Sequence, residues 1–212
     1  MHISETMETI VNRATVYERY IPHKEFFTDT SGQIEYTLNS LWHRDIELES
    51  YTDYTLAVGC SHTFGIGVQT PWPTLIDNCY NAGIPGATVH DMCDVAIAIY
   101  KENPYKKVLM LAPHGERFLV QENGKTSALM PYSDNAEKFK MLDTSTKMLY
   151  TNRSIDSFKY FCESNNIEYK IICDSSIKFL KEHKLKLQDH GTDGVHYGEV
   201  TQQNFAGMFN VT

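Results

Sequence analysis

Apolar and polar positions change their spacing near residue 54. Before it, only Gln33-Ile34-Glu35-Tyr36-Thr37-Leu38 is regular, alternating polar and apolar as a half-buried strand does. Thr28-Asp29-Thr30-Ser31-Gly32 ahead of it is a turn signal. From Tyr54 onward, continuous apolar runs alternate with stretches of helical period. Tyr54–Gly59, Cys79–Ala82, Lys107–Ala112 and Glu168–Cys173 read as buried strands. Trp72–Asn78 reads as a helix with prolines at its start, and Val89–Glu102 as a helix on the spacing of Val89, Met92, Cys93, Ala96 and Ile99. Ala136–Ser164 is helical in pattern, as one helix or two, and Gly198–Met208 is a terminal helix. Asn123-Gly124 between short apolar pieces predicts a hairpin within Phe118–Tyr132. Strands alternating with helices predict an α/β fold with a parallel sheet and helices on both faces. Residues 51–212 would form the main domain, with residues 1–50 an extension packing on it.

In such sheets, ligands bind at the carboxyl ends of the strands. Ser61 falls there, in Val58-Gly59-Cys60-Ser61-His62-Thr63-Phe64-Gly65. About 130 residues later, Asp193-Gly194-Val195-His196 presents a histidine with a carboxylate three residues before it. A serine hydroxyl is a weak nucleophile until a base takes its proton. Histidine suits that task near neutral pH, and a carboxylate on its other nitrogen fixes the tautomer. Asn81-Ala82-Gly83-Ile84-Pro85-Gly86 follows the second strand, and backbone N–H groups near Gly86 are candidates for holding an oxyanion. The plainer readings are a turn serine for Ser61, a surface or helix-capping histidine for His196 and a turn aspartate for Asp193. Their order along the chain favours the catalytic reading of all three.

The motifs resemble those of the SGNH hydrolases, the GDSL esterase/lipase superfamily. The first block of that family, Gly-Asp-Ser followed by a glycine-containing loop, is similar to Gly59-Cys60-Ser61 through Gly65-Ile66-Gly67, with cysteine in place of aspartate. The Asn-x-x-x-x-Gly stretch matches Asn81 to Gly86, and Asp-x-x-His matches Asp193 to His196. The family's Gly-x-Asn-Asp block is missing; Ala112-Pro113-His114-Gly115-Glu116-Arg117 stands there, with His114 the nearest counterpart of the oxyanion asparagine and Arg117 a second possible donor. Tyr36 to Asp45 resembles the Asn-Ser-x-Gly-x-Arg lead-in of some members, without the glycine. The resemblance implies a flavodoxin-like, three-layer α/β/α sandwich. It also implies a serine esterase acting on a small acyl ester such as an O-acetylated carbohydrate. Ser61, Asp193 and His196 would be catalytic, and Ser61, Gly86 and His114 would hold the oxyanion. His62 and Arg117 are candidates for the substrate pocket, His62 lining it or facing solvent. An acyltransferase with the same triad is one alternative. A non-catalytic carbohydrate-binding or structural protein, or a virion protein similar to phage-encoded SGNH proteins, is another.

The remaining features narrow the choice of partners. A net charge of −8 argues against a nucleic-acid partner. The acidic, polar N-terminus does not read as a signal peptide, no apolar stretch is long enough to span a membrane, and five cysteines without a CxxC pair read as reduced thiols. A cytoplasmic location, in the host cytoplasm or the virion if the protein is viral, is therefore expected, and an oligomer remains open. Nine histidines without HxxxH or HxH spacing predict no metal, and Gly65-Ile66-Gly67 without a following Lys-Ser/Thr predicts no nucleotide; no cofactor is expected.

Overall fold

The computed structural model describes residues 26–28, 31–113, 117–122, 125–129, 136–174 and 189–210. Strands β1 (Phe26–Thr28) and β2 (Glu35–Thr37) pair antiparallel. The main sheet consists of β3 (Thr55–Gly59), β4 (Cys79–Gly83), β5 (Lys107–Pro113) and β8 (Glu168–Asp174). Its order is β4-β3-β5-β8 and every pairing is parallel, so the chain is an α/β protein as its periodicity predicts. Strands β6 (Phe118–Glu122) and β7 (Lys125–Leu129) form the expected antiparallel hairpin. Asn123 and Gly124, the residues predicted to form its turn, lie outside the described residues.

Alternation along the parallel strands divides the core in two. Leu56, Val58, Tyr80, Val108 and Met110 pack with Met92, Ala96 and Ile99 of α2 (Val89–Glu102, after the short α1, Ser61–Phe64) and with Phe158 and Cys162 of α4 (Thr144–Ser164, after α3, Ala136–Met141). Ile34, Tyr36, Leu38, Leu41 and Leu48 join this cluster, so residues 34–48 share the core of the main sheet. The alternate residues Ala57, Leu109, Leu111 and Ile172 pack with Trp72 and with Phe205, Ala206 and Phe209 of α5 (Glu199–Asn210). The Trp72 and Phe209 rings stack at 4.5 Å.

Local chemistry sets the helix boundaries. Helix α2 opens with a reciprocal cap: Asp91 N–H donates to the Thr88 hydroxyl and the Asp91 carboxylate accepts from Thr88 N–H, a motif that stabilises by about 1 kcal/mol. The helical stretch 136–164 is two helices because the Asp143 carboxylate caps α4, accepting from Thr146 N–H at 2.8 Å. The helix expected over Trp72–Asn78 is instead a single 3₁₀ turn, Trp72–Leu75. Ile76 is already extended, and Asn78 takes a left-handed φ of 48° so that its carbonyl can accept from Thr55 N–H. Sheet pairing therefore overrides helical propensity directly before β4.

Candidate active site

Ser61 is the first residue of α1, directly beyond the end of β3. Its N–H is among those a helix leaves without an intrahelical partner. The turn closes through Gly65, whose N–H donates to Ser61 O and whose φ is +86°. Two glycines let α1 lie against the strand ends. They face each other in the β3–β4 register: Gly59, where a Cβ would lie 1.8 Å from Thr63 Oγ1, and Gly83, where a Cβ would lie 2.3 Å from Phe64 N. Ser61 is 6% exposed, and its hydroxyl donates to Cys60 Sγ at 4.0 Å rather than to His196.

The second half of the site is the loop between His190 and Tyr197, which pair in an antiparallel bridge. Within it, Gly191 N–H donates to His196 O and Gly194 N–H to Gly191 O. Asp193 Oδ1 accepts from the backbone N–H groups of Val195 and His196 at 3.0 Å, and Asp193 Oδ2 meets His196 Nδ1 at 2.6 Å. The Asp193 side chain is 6% exposed and that of His196 25%, so the carboxylate is sheltered and the imidazole open. Burial alone would raise the Asp193 carboxyl; the bonds from the His196 ring and from the His196 and Val195 N–H groups outweigh it and hold it below the ordinary carboxylate range. An ionised Asp193 requires hydrogen on Nδ1, which leaves the Nε2 lone pair for a base. The loop is tied to α5 by Asp189, whose carboxylate accepts from Val200 N–H, Thr201 N–H and the Thr201 hydroxyl.

Direct contacts bring the two halves together. Thr192 N–H donates to Gly67 O at 2.8 Å. A Cβ on Gly191 would sit 2.6 Å from that same oxygen, and one on Gly67 would sit 2.9 Å from Asp193 Oδ1. The Gln202 side-chain amide of α5 donates to His62 O. The His62 ring stacks on Tyr197 at 4.4 Å and meets the His196 ring edge-on at 5.5 Å. His62 is thus partly buried in an aromatic cluster beside His196. Burial first, then the neighbouring His196 and Arg117, push its imidazole down to about 3, so it is neutral at ordinary pH. That coupling also sets the partly buried Arg117 within electrostatic reach of the site. Gly86 is buried at φ +83° in the turn Ile84-Pro85-Gly86-Ala87, closed by Ala87 N–H to Ile84 O, as position i+2 of a type II turn requires. Ile84 N–H donates to Gly59 O, anchoring that turn beside the Ser61 segment. His114 lies outside the described residues. Gly67 and Gly191 also line a cleft of about 260 Å³, with Gln33, Gln69, His190 and Thr192.

Sequence reasoning missed Tyr197, Gln202, Glu199, Tyr36 and Arg44 as parts of this arrangement. Tyr36 and Arg44 lie in the stretch resembling a family lead-in; the other three carry no motif. Among the described residues, no group of three or more His, Cys, Asp or Glu side chains is arranged to hold a metal ion, and no helix is long and apolar enough to cross a membrane. No protein-family model matches the chain, and no curated protein matches it in sequence.

Proposed function

We propose that the protein is a serine ester hydrolase of SGNH type, acting through an acyl-enzyme on Ser61. The observation that carries this reading is the hydrogen-bonded Asp193–His196 pair held against the loop that follows Ser61. In the proposed reaction, Ser61 Oγ turns from Cys60 to His196 when substrate binds, in line with the tightening of catalytic hydrogen bonds in substrate complexes. Ser61 Oγ attacks the acyl carbon while His196 Nε2 takes its proton. The tetrahedral oxyanion is held by the N–H groups of Ser61 and Gly86, with His114 or Arg117 as a further donor. The intermediate collapses, the carbon–oxygen bond to the alcohol breaks, and His196 returns the proton to the leaving oxygen. Water then attacks the acyl-Ser61 carbonyl with His196 as base, releasing the acid and restoring the serine. Asp193 stays ionised throughout and stabilises the imidazolium.

The substrate class is a small acyl group on a polar carrier, such as an O-acetylated carbohydrate. The resemblance of the segments around Ser61, Gly86 and His196 to SGNH motifs supports that choice. With a sugar hydroxyl in place of water, the same residues would perform acyl transfer. The buried free thiols of Cys60, Cys79, Cys93 and Cys162 support a reducing, cytoplasmic setting. A second reading, a binding protein that has lost turnover, is favoured by one observation, the Ser61 hydroxyl engaged with Cys60. A panel of acetylated sugars and short aryl esters separates them. Hydrolysis by the wild type that disappears in Ser61→Ala and His196→Ala supports the esterase. Full turnover by Ser61→Ala overturns it, and no turnover by folded wild type favours the binding reading.

A further inference from the structure

The loop between Gly65 and Thr70 links the Ser61 helix to the Asp193–His196 loop, and side chains from elsewhere in the chain hold much of its backbone. Gly65 and Gly67 both take left-handed conformations, with φ of +86° and +77°. Its peptide groups are held from outside. One Arg44 guanidinium nitrogen donates to Gly65 O at 2.7 Å and Val68 O at 3.0 Å, with a longer contact to Phe64 O at 3.4 Å, while the other donates to Gln69 O at 2.8 Å. The Tyr36 hydroxyl accepts from Gly67 N–H at 2.7 Å. Glu199 accepts from Gln69 N–H at 2.6 Å and Thr70 N–H at 3.1 Å. Arg44 also lies over the Tyr36 ring at 4.7 Å, and that ring meets Phe64 of α1 edge-on at 5.4 Å. Tyr36 is fully buried.

The loop meets the dyad's own loop at Gly67 O, which accepts from Thr192 N–H, one residue before Asp193. Gly67 is therefore held on both sides of its Cα, its N–H fixed by Tyr36 and its carbonyl fixing the Asp193 loop. We propose that Tyr36 and Arg44 are positioning residues that set the Asp193–His196 loop against Ser61 through Gly67. The inference rests on the esterase reading for its catalytic consequence, but its structural part is independent of it. Neither side chain is proposed to touch the reacting atoms. Arginine is required because a planar fork can serve several carbonyls at once, and a lysine ammonium cannot reproduce that spread.

The test uses the full chain and the variants Tyr36→Phe and Arg44→Lys, with Arg44→Ala as the severe case. Tyr36→Phe keeps the ring against Phe64 and Arg44 and removes only the hydroxyl that accepts from Gly67 N–H, so it is the variant expected to stay folded. Amide exchange at Thr192 and the low-field proton signal of the His196–Asp193 bond are followed by NMR, alongside esterase kcat and KM. The expected result is faster Thr192 exchange, a broadened or lost imidazole signal, and a kcat lowered about tenfold to a hundredfold with KM nearly constant, as small misplacement of a reacting group produces. Arg44→Lys should move the same readouts in the same direction. Wild-type exchange at Thr192 and wild-type kcat in a folded Tyr36→Phe and Arg44→Lys would overturn the proposal. A wild type without esterase activity, in which Tyr36→Phe still accelerates exchange at Thr192, would sink the esterase reading and leave the coupling standing.

Discussion

Replacing Asp193 by asparagine isolates the role of the carboxylate, because the surrounding hydrogen bonds dictate how an amide must sit. Asp193 Oδ1 accepts from two backbone N–H groups, those of Val195 and His196, each at 3.0 Å. An asparagine keeps both bonds only with its carbonyl oxygen in that place. Its NH₂ group then occupies the position of Oδ2, 2.6 Å from His196 Nδ1. Two donors cannot face each other, so Nδ1 must give up its hydrogen and Nε2 must carry it. In that tautomer Nε2 has no lone pair for the Ser61 proton. A wrong tautomer in a serine–histidine–aspartate site lowers turnover about 10⁴-fold, or roughly 5 kcal/mol of transition-state stabilisation. The fold should lose far less, about 1–2 kcal/mol, because a neutral hydrogen bond replaces a charge-assisted one. The sign with pH follows from the depressed Asp193 carboxyl. Its stabilisation is complete above the unfolded-state pKa and is lost as pH falls through the folded one, so wild type and Asp193→Asn should converge in stability in acid. Ester turnover and thermal melting, measured on both proteins, check these expectations. An asparagine variant that kept turnover within about threefold of wild type would refute the tautomer argument.

Two further perturbations address the scaffold. The His43 imidazole is fully buried, with Nδ1 2.7 Å from the Tyr80 hydroxyl, and burial pushes it down to about 3. The unfolded chain therefore binds the extra proton between about pH 6.5 and 3, and stability should fall across that window, by at most about 4–5 kcal/mol from this group; urea unfolding at several pH values should show a shallower slope for His43→Leu, and an unchanged slope would contradict the assignment. In Gly83→Ala, the new Cβ would lie 2.3 Å from Phe64 N and 2.7 Å from Thr63 C, both backbone atoms that must shift. We expect a loss of about 1–3 kcal/mol together with weaker reaction at Ser61, and an unchanged melting temperature and reactivity would show that α1 does not rest on this strand end.

The order of strands and helices was legible because burial on both faces of a parallel strand leaves an unmistakable apolar run, as in Val108-Leu109-Met110-Leu111. The helical spacing of Val89, Met92, Cys93, Ala96 and Ile99 made α2 equally clear, while the Thr88–Asp91 cap that fixes its start emerged only from the structure. Trp72–Asn78 misled because two prolines and an apolar run look like a helix start, whereas sheet pairing of Asn78 with Thr55 decides the backbone there. In the site, Asp193 and His196 were readable because the pair is local, closed by bonds within four residues. The supports were not. Tyr36, Arg44, Glu199 and Gln202 act on backbone groups of residues 62–72 from far along the chain, and a bond to a peptide carbonyl or N–H leaves no trace in the partner's identity. Gly67 and Gly191 look like loop glycines in the sequence; their reason is the close approach of the two loops.

The central claim is that Ser61 is an activated nucleophile, and a fluorophosphonate probe tests it without knowledge of the substrate. Intact-protein mass would be measured after treatment of the wild type and of Ser61→Ala. The account predicts a single adduct on the wild type that is absent from the variant. A folded wild type that takes up no probe, or an adduct of equal extent on Ser61→Ala, would contradict it.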